Sequence, residues 1–332
     1  MKALFNKSRI VCAFVCVFGF ISPMVLAEQN PHYMVFASDP QYPWTDKTDS
    51  GEAETQPEKE ARSRQLIESQ FSDIASFRKN FSTSPEHIPV MINGDITAYG
   101  HGWQRSWLRP VMGKYFGENV LYGLGNHDYE NNSCFSENCA AGSITDFEEH
   151  HRGKVDSLDL NISGPVFNRL YSGSLAYSKD VGDVHLVQLH NEPTYSVRIA
   201  SAWNPTTFEI KDSLDWLEKD LKAARDRGQI IIVNMHKPGQ WQGTTQQIER
   251  FNKLINTYNV TAVFAGHFHQ SVGRSLYAYR YFGSVPVFLS GAASQQTYLI
   301  AGFSSDRKSL TISQVNGNNW PSRVVLDTIP VK

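Results

Sequence analysis

The chain has 332 residues, 41% hydrophobic and 19% charged, with a formal net charge of −2 at pH 7. That length allows one large α/β domain or two smaller ones. The near-balanced charge excludes a dominant affinity for nucleic acid or anionic lipid.

The chain opens with Lys2, Lys7 and Arg9, followed by an apolar run from Ile10 to Ile21 that Ser22 and Pro23 break. Val25-Leu26-Ala27 then offers small residues for cleavage before Glu28, the layout of a secretory signal peptide. A retained membrane helix would need a longer unbroken run, and none occurs later in the chain. Cleavage after Ala27 would export residues 28–332 as a single domain, to the periplasm or beyond. It would also move the net charge from −2 to −5.

Residues 32–38 read as a strand ending at Asp39, and 42–57 as a polar loop. From Glu58 to Phe81, Leu66, Ile67, Phe71, Ile74 and Phe77 recur at helical spacing. Strands over 87–93 and 119–124 run into Gly94-Asp95 and Gly125-Asn126-His127-Asp128. The polar segment 129–173 reads as a surface insertion. Cys134 and Cys139 lie in it as the only cysteines left after cleavage, and suggest a disulfide pinning a loop. A redox pair or half of a zinc site are the alternatives.

A strand over 184–189 follows, then a helix capped by Ser213 with Leu214, Leu217, Leu221 and Ala224 on one face. The strand 230–235 is almost continuously apolar and ends at His236, as buried parallel strands tend to be. A helix over 246–258, a strand over 260–265 into Gly266-His267-Phe268-His269, and β-rich runs at 285–289, 297–303 and 310–315 complete the chain. Helices alternating with early strands, then strands in succession, suggest a mixed sheet or two packed sheets with helices outside.

The polar residues at these strand ends are carboxylates, imidazoles and amides, ligand types for hard-to-borderline divalent metals. Asp39 and Asp95 bring negative charge, Asn126 a neutral oxygen, and His236, His267 and His269 nitrogens. Such a set can hold two ions that clamp the attacking and leaving oxygens of a phosphoryl transfer. Glycines 94, 125 and 266 stand where close approach or positive φ is often needed.

The segments Asp39-Pro-Gln41, Gly94-Asp95, Gly125-Asn126-His127-Asp128, His236 and Gly266-His267-Phe268-His269 resemble, in order, the signature of the calcineurin-like metallophosphoesterases. The resemblance covers the mature chain from about residue 33 to the end. It implies an α/β fold, a four-layer α/β/β/α sandwich with two mixed β-sheets. It also implies a metal-dependent phosphoesterase acting through a two-metal-activated hydroxide. By position, Asp39, Gln41, Asp95 and His269 would hold one ion, with Asp95 bridging to a second held by Asn126, His236 and His267. His127 would be general acid or phosphate clamp, and Asp128 beside it is available to orient it or raise its pKa. The ions would be Mn, Fe, Mg or Zn.

Two positions depart from relatives. Gln41 stands where the family usually has His and is a harder, weaker donor. Ala98 stands where purple acid phosphatases carry a ligand tyrosine. Tyr42, Trp44, His101, Trp103, Trp203 and Trp241 lie near the motifs in sequence, suiting a small-molecule or lipid-head phosphoester. His190 reads as a core or supporting residue, and His150-His151 as solvated. A second reading is an exported metal-binding effector or recognition protein with little turnover. A third, within the enzyme reading, is a phosphoprotein phosphatase.

Overall fold

The computed structural model describes residues 30–117, 120–129, 139–201, 204–275 and 279–332. The proposed leader, Cys134 and Trp203 lie outside them. Cys139 is disulfide-bonded.

Two mixed sheets dominate. The first runs in the order Val324–Pro330, Ser309–Asn316, Thr297–Phe303, Tyr33–Ala37, Val90–Ile92, Leu121–Tyr122. The second runs Val272–Arg274, Val287–Ser290, Ala262–Ala265, Ile230–Met235, Val184–Gln188, Tyr177–Val181, Ser157–Leu158. In each, the strands that carry the motifs pair in parallel, Ala37 opposite Ile92 and Met235 opposite Ala265.

Side chains alternate along a strand, so a strand apolar throughout must be covered on both faces. Ile230 and Ile232 join the core between the sheets, while Ile231, Val233 and Met235 join a second core with helices Leu214–Asp226 and Thr245–Thr257. In the first sheet Phe36 stacks on Phe264 of the second, ring centroids 3.6 Å apart. Three residues earlier, on the opposite face, Tyr33 meets Phe77 of helix Gln56–Phe81 edge-on. Helices thus cover the outer face of each sheet, and the α/β architecture expected from the sequence is present.

The helix expected from Glu58 begins two residues earlier. Pro57 sits in the first turn, where its missing N–H costs nothing, and Glu58 accepts from the Thr55 N–H. Other elements were not anticipated. Gly102–Phe116 is a helix in spite of Pro110, burying Gln104, Leu108, Met112 and Phe116 four residues apart.

The segment 129–173 is more than a surface excursion, because Cys139–His151 is a helix that buries Ile144 and Phe147 in the main core. Its His150 and His151 are buried, not solvated. His150 Nε2 bonds Val120 O at 2.8 Å, and burial holds His151 well below the usual histidine range. A third, four-stranded sheet joins Asn161–Ser163, Leu170–Gly173, Asn204–Ile210 and Val197–Ser201.

Candidate metal centre

Parallel strands in register deliver their following residues to one edge, the usual ligand edge of α/β sheets. Asp39, Asp95, Asn126, His190, His236 and His267 each follow such a strand within a few residues. The turns are tight. Asp39, Gln41, Asp95 and His267 all have positive φ (50°, 41°, 47° and 73°), conformations costing about 1–3 kcal/mol each that cluster at functional sites. A Cβ added to Gly94, Gly125 or Gly266 would fall under 3.0 Å from His236, Asp95 or Asp39 respectively. These glycines are there for close approach.

The result is two groups of potential ligand atoms. One atom each from Asp95, His236 and His267 lie within 4.8 Å of one another, as do atoms from Asp39, Asp95 and His269. Asp95 belongs to both. His236 Nε2 is 3.0 Å from Asp95 Oδ2 and 3.0 Å from Asn126 Oδ1, while its Nδ1 donates to Asn93 O at 2.9 Å. That bond fixes the tautomer and leaves Nε2 facing the cluster. Asp39 Oδ2 accepts from the His267 N–H at 3.0 Å, and Asp39 Oδ1 lies 3.3 Å from His269 Nε2.

Two buried acceptors here, Asp39 Oδ1 and Gln41 Oε1, make no hydrogen bond, nor does the Gln41 Nε2 donor, and Asp39 Oδ1 has only its ion-pair contact with His269 Nε2. Gln41 is fully buried, its N–H tied to Asp95 O at 2.9 Å. A buried acceptor left unpaired costs about 1–3 kcal/mol. A cation is the natural partner for such acceptors among carboxylates.

The electrostatics agree. Burial alone would lower His236 and His269, but the neighbouring carboxylates raise them to about 9 and about 10. Burial would raise Asp95, yet charged His236 brings it to about 2. Burial, then the charge of His236, lowers His267 to about 4. The carboxylates draw positive charge into the cluster.

His127 donates its N–H to Asp95 Oδ1 at 2.8 Å, and its ring Nδ1 bonds Ala98 O at 2.8 Å. Asp128 therefore differs from the sequence expectation: the nitrogen it was to orient is held by Ala98. Its carboxylate instead accepts from the N–H groups of Gly125, Ile96 and Thr97, each at 2.9 Å, bracing the Asp95 loop against the Asn126 loop. Burial, then the charge of Asp95, raises Asp128 to about 6.

His190 is a supporting residue as expected, bonding Leu124 N at 2.9 Å and Leu175 O at 2.6 Å. Of the expected rim, Trp44 stands edge-on to both His127 and His269 and Trp103 is exposed; Tyr99, not among the expected set, is exposed as well. Tyr42 and Trp241 are buried packing residues and leave the rim. Asp49, bonded to His269 Nδ1 at 2.6 Å, was missed, because its polar stretch reads as solvated loop.

The family model for calcineurin-like phosphoesterase matches residues 34–271, which carry every one of these side chains. The chain belongs to that family. It is therefore a phosphoester hydrolase by family, and the family typically binds divalent metal ions, which the donor set and its orphaned acceptors fit. No curated protein sequence matches the chain.

Among solved structures it is similar to GAP50, the anchor in the inner membrane complex of Plasmodium, at 10% identity and a TM-score of 0.45, covering 90% of this chain and 89% of that one. It is also similar to Haemophilus influenzae NAD nucleotidase, at 12% identity and a TM-score of 0.40, covering 90% and 55%. A mutant cold-active protein tyrosine phosphatase matches at 12% identity and a TM-score of 0.38, covering 90% and 81%. None is close enough to lend this chain its chemistry.

Proposed function

We propose that this calcineurin-like phosphoesterase is an exported, two-metal hydrolase of small-molecule or lipid-head phosphoric esters. The observation that carries the two-metal reading is the presence of Asp95 in both ligand groups, with the buried Gln41 amide oxygen making no hydrogen bond beside it. Asp39, Gln41, Asp95 and His269 would hold one ion, and Asp95, Asn126, His236 and His267 the other. When bound, divalent cations supply Lewis acidity and a strong oxygen nucleophile at neutral pH.

The chain's own residues do the rest. His127 has its Nδ1 bonded to Ala98 O, so Nε2 is the nitrogen that would meet the phosphate or protonate the departing oxygen. His236 and His269, held by Asn93 O and Asp49, keep fixed rings. Trp44, with exposed Tyr99 and Trp103, would border an organic leaving group. Export rests on the sequence of residues 1–27, and a Cys134–Cys139 bridge on the bonded state of Cys139.

The test is elemental analysis of the purified mature chain, then an aryl phosphate monoester and diester panel with each metal restored. Two ions per chain and metal-dependent turnover are expected. Metal without turnover would favour the recognition-protein reading, and no bound metal would sink both.

A further inference from the structure

Asp49 lies in none of the ligand segments, in the short helix Asp46–Ser50 of a stretch that reads as loop. Its carboxylate is nevertheless a junction. Oδ1 is 2.6 Å from His269 Nδ1 and accepts from Trp44 Nε1 at 2.7 Å. Oδ2 accepts from Ser294 Oγ at 2.6 Å and Gln295 Nε2 at 2.7 Å. Four donors from three separate parts of the chain occupy both oxygens, so the carboxylate can neither rotate nor leave cheaply.

The consequence falls on His269. With Nδ1 committed to Asp49, the nitrogen remaining for the cluster is Nε2, which lies 3.3 Å from Asp39 Oδ1. The oxygen that holds His269 also holds Trp44, whose ring meets His269 and His127 edge-on with centroids 5.7 and 5.3 Å away. A carboxylate behind a ligating imidazole orients the ring and raises its basicity, and losing one typically costs roughly 10- to 100-fold in metal affinity.

We propose that Asp49 is a positioning residue of the metal centre, holding His269 in its Nδ1–H form and seating Trp44 between the two histidines. The alternative is that Asp49 only staples the loop at Ser294 and Gln295 to the body. The inference rests on the metal-centre reading, and the experiment separates failure of one from failure of the other.

The measurement is equilibrium dialysis of the mature chain against Mn(II), with ions counted by elemental analysis. Asp49→Asn should weaken one of two ions roughly 10- to 100-fold and leave the other unchanged. Ser294→Ala removes a donor to Asp49 but not the bond to His269, and should bind metal as wild type does. In a His269→Ala background, Asp49→Asn should add no further weakening.

Wild-type affinities for both ions in Asp49→Asn would overturn the inference and leave the metal reading standing. So would equal weakening by Ser294→Ala, or a full effect of Asp49→Asn without His269. A wild-type chain that binds no Mn(II) overturns both. Should Asp49→Asn not fold, imidazole ¹⁵N spectra of the Zn(II)-loaded wild type decide the matter. They must show His269 protonated at Nδ1, and metal at Nδ1 would end the proposal.

Discussion

Among the described residues, two places set a largely buried histidine between two aspartates, and they differ in what they leave undone. At the ligand edge, His269 lies between Asp39 and Asp49, with His236 and Asp95 alongside, and the buried Gln41 amide makes no hydrogen bond. On the strand Val184–Gln188, His185 bonds Asp180 at Nδ1 (2.5 Å) and Asp220 at Nε2 (2.8 Å). There too the carboxylates sit at opposite edges of the ring, but no further ligand atom converges with them, as Asp95 does at His269. Arg227 and Ser178 complete their bonding. Residue type alone does not mark a metal centre; convergence with unsatisfied acceptors does.

The sharpest way to break this contrast is to remove one histidine from each. His236→Ala should abolish metal binding and hydrolysis together. Losing several kcal/mol of charge stabilisation corresponds to about 10³-fold in rate. Removing His185 should leave both intact but destabilise the fold by about 1–3 kcal/mol, since two part-buried carboxylates lose a hydrogen-bond partner. Calorimetry, elemental analysis and aryl phosphate turnover on the two variants would show the reversal. If His185→Ala lost metal, or His236→Ala kept full activity, the distinction would fail.

A smaller effect should appear with pH. Burial alone would lower His185, but Asp180 and Asp220 raise it to about 9. A histidine raised on folding contributes stability that is fully present below its unfolded value near 6.5 and lost as pH rises through about 9. Chemical denaturation of the metal-free chain should therefore lose up to about 3 kcal/mol across that window through this group. In His185→Gln that loss should vanish. An unchanged slope would show that the triad carries no such charge.

How much of this was legible follows the same division. The candidate ligand set could be read because its members follow apolar strands, Asp95, Asn126 and His267 directly after a glycine, and parallel pairing does the rest. The helix Gly102–Phe116 was hidden by Pro110 and Gly113, although its buried residues fall at every fourth position. The strand Asn161–Ser163 is too polar and exposed to carry a period. Asp49 could not be found from sequence, because its partners His269 and Ser294 are 220 and 245 residues away and only the fold brings them together. Asp128 shows the opposite error, since adjacency in sequence suggested a contact with His127 that the backbone directs to Ala98.

The finest distinction concerns Gln41, the member that departs from the family pattern. If its buried amide oxygen is a ligand, Gln41→His replaces a hard oxygen donor with nitrogen and should favour Zn(II) over Mn(II) or Mg(II). The substitution suits the backbone, because histidine is among the residues enriched at positive φ and Gln41 has φ of 41°. A shift of about tenfold in the Zn(II)-to-Mn(II) affinity ratio, confined to one of the two ions, is the expected result. A merely space-filling Gln41 predicts a changed melting temperature with an unchanged ratio. Competition dialysis of the two metals separates these outcomes, and the second would remove Gln41 from the first ion's ligand set.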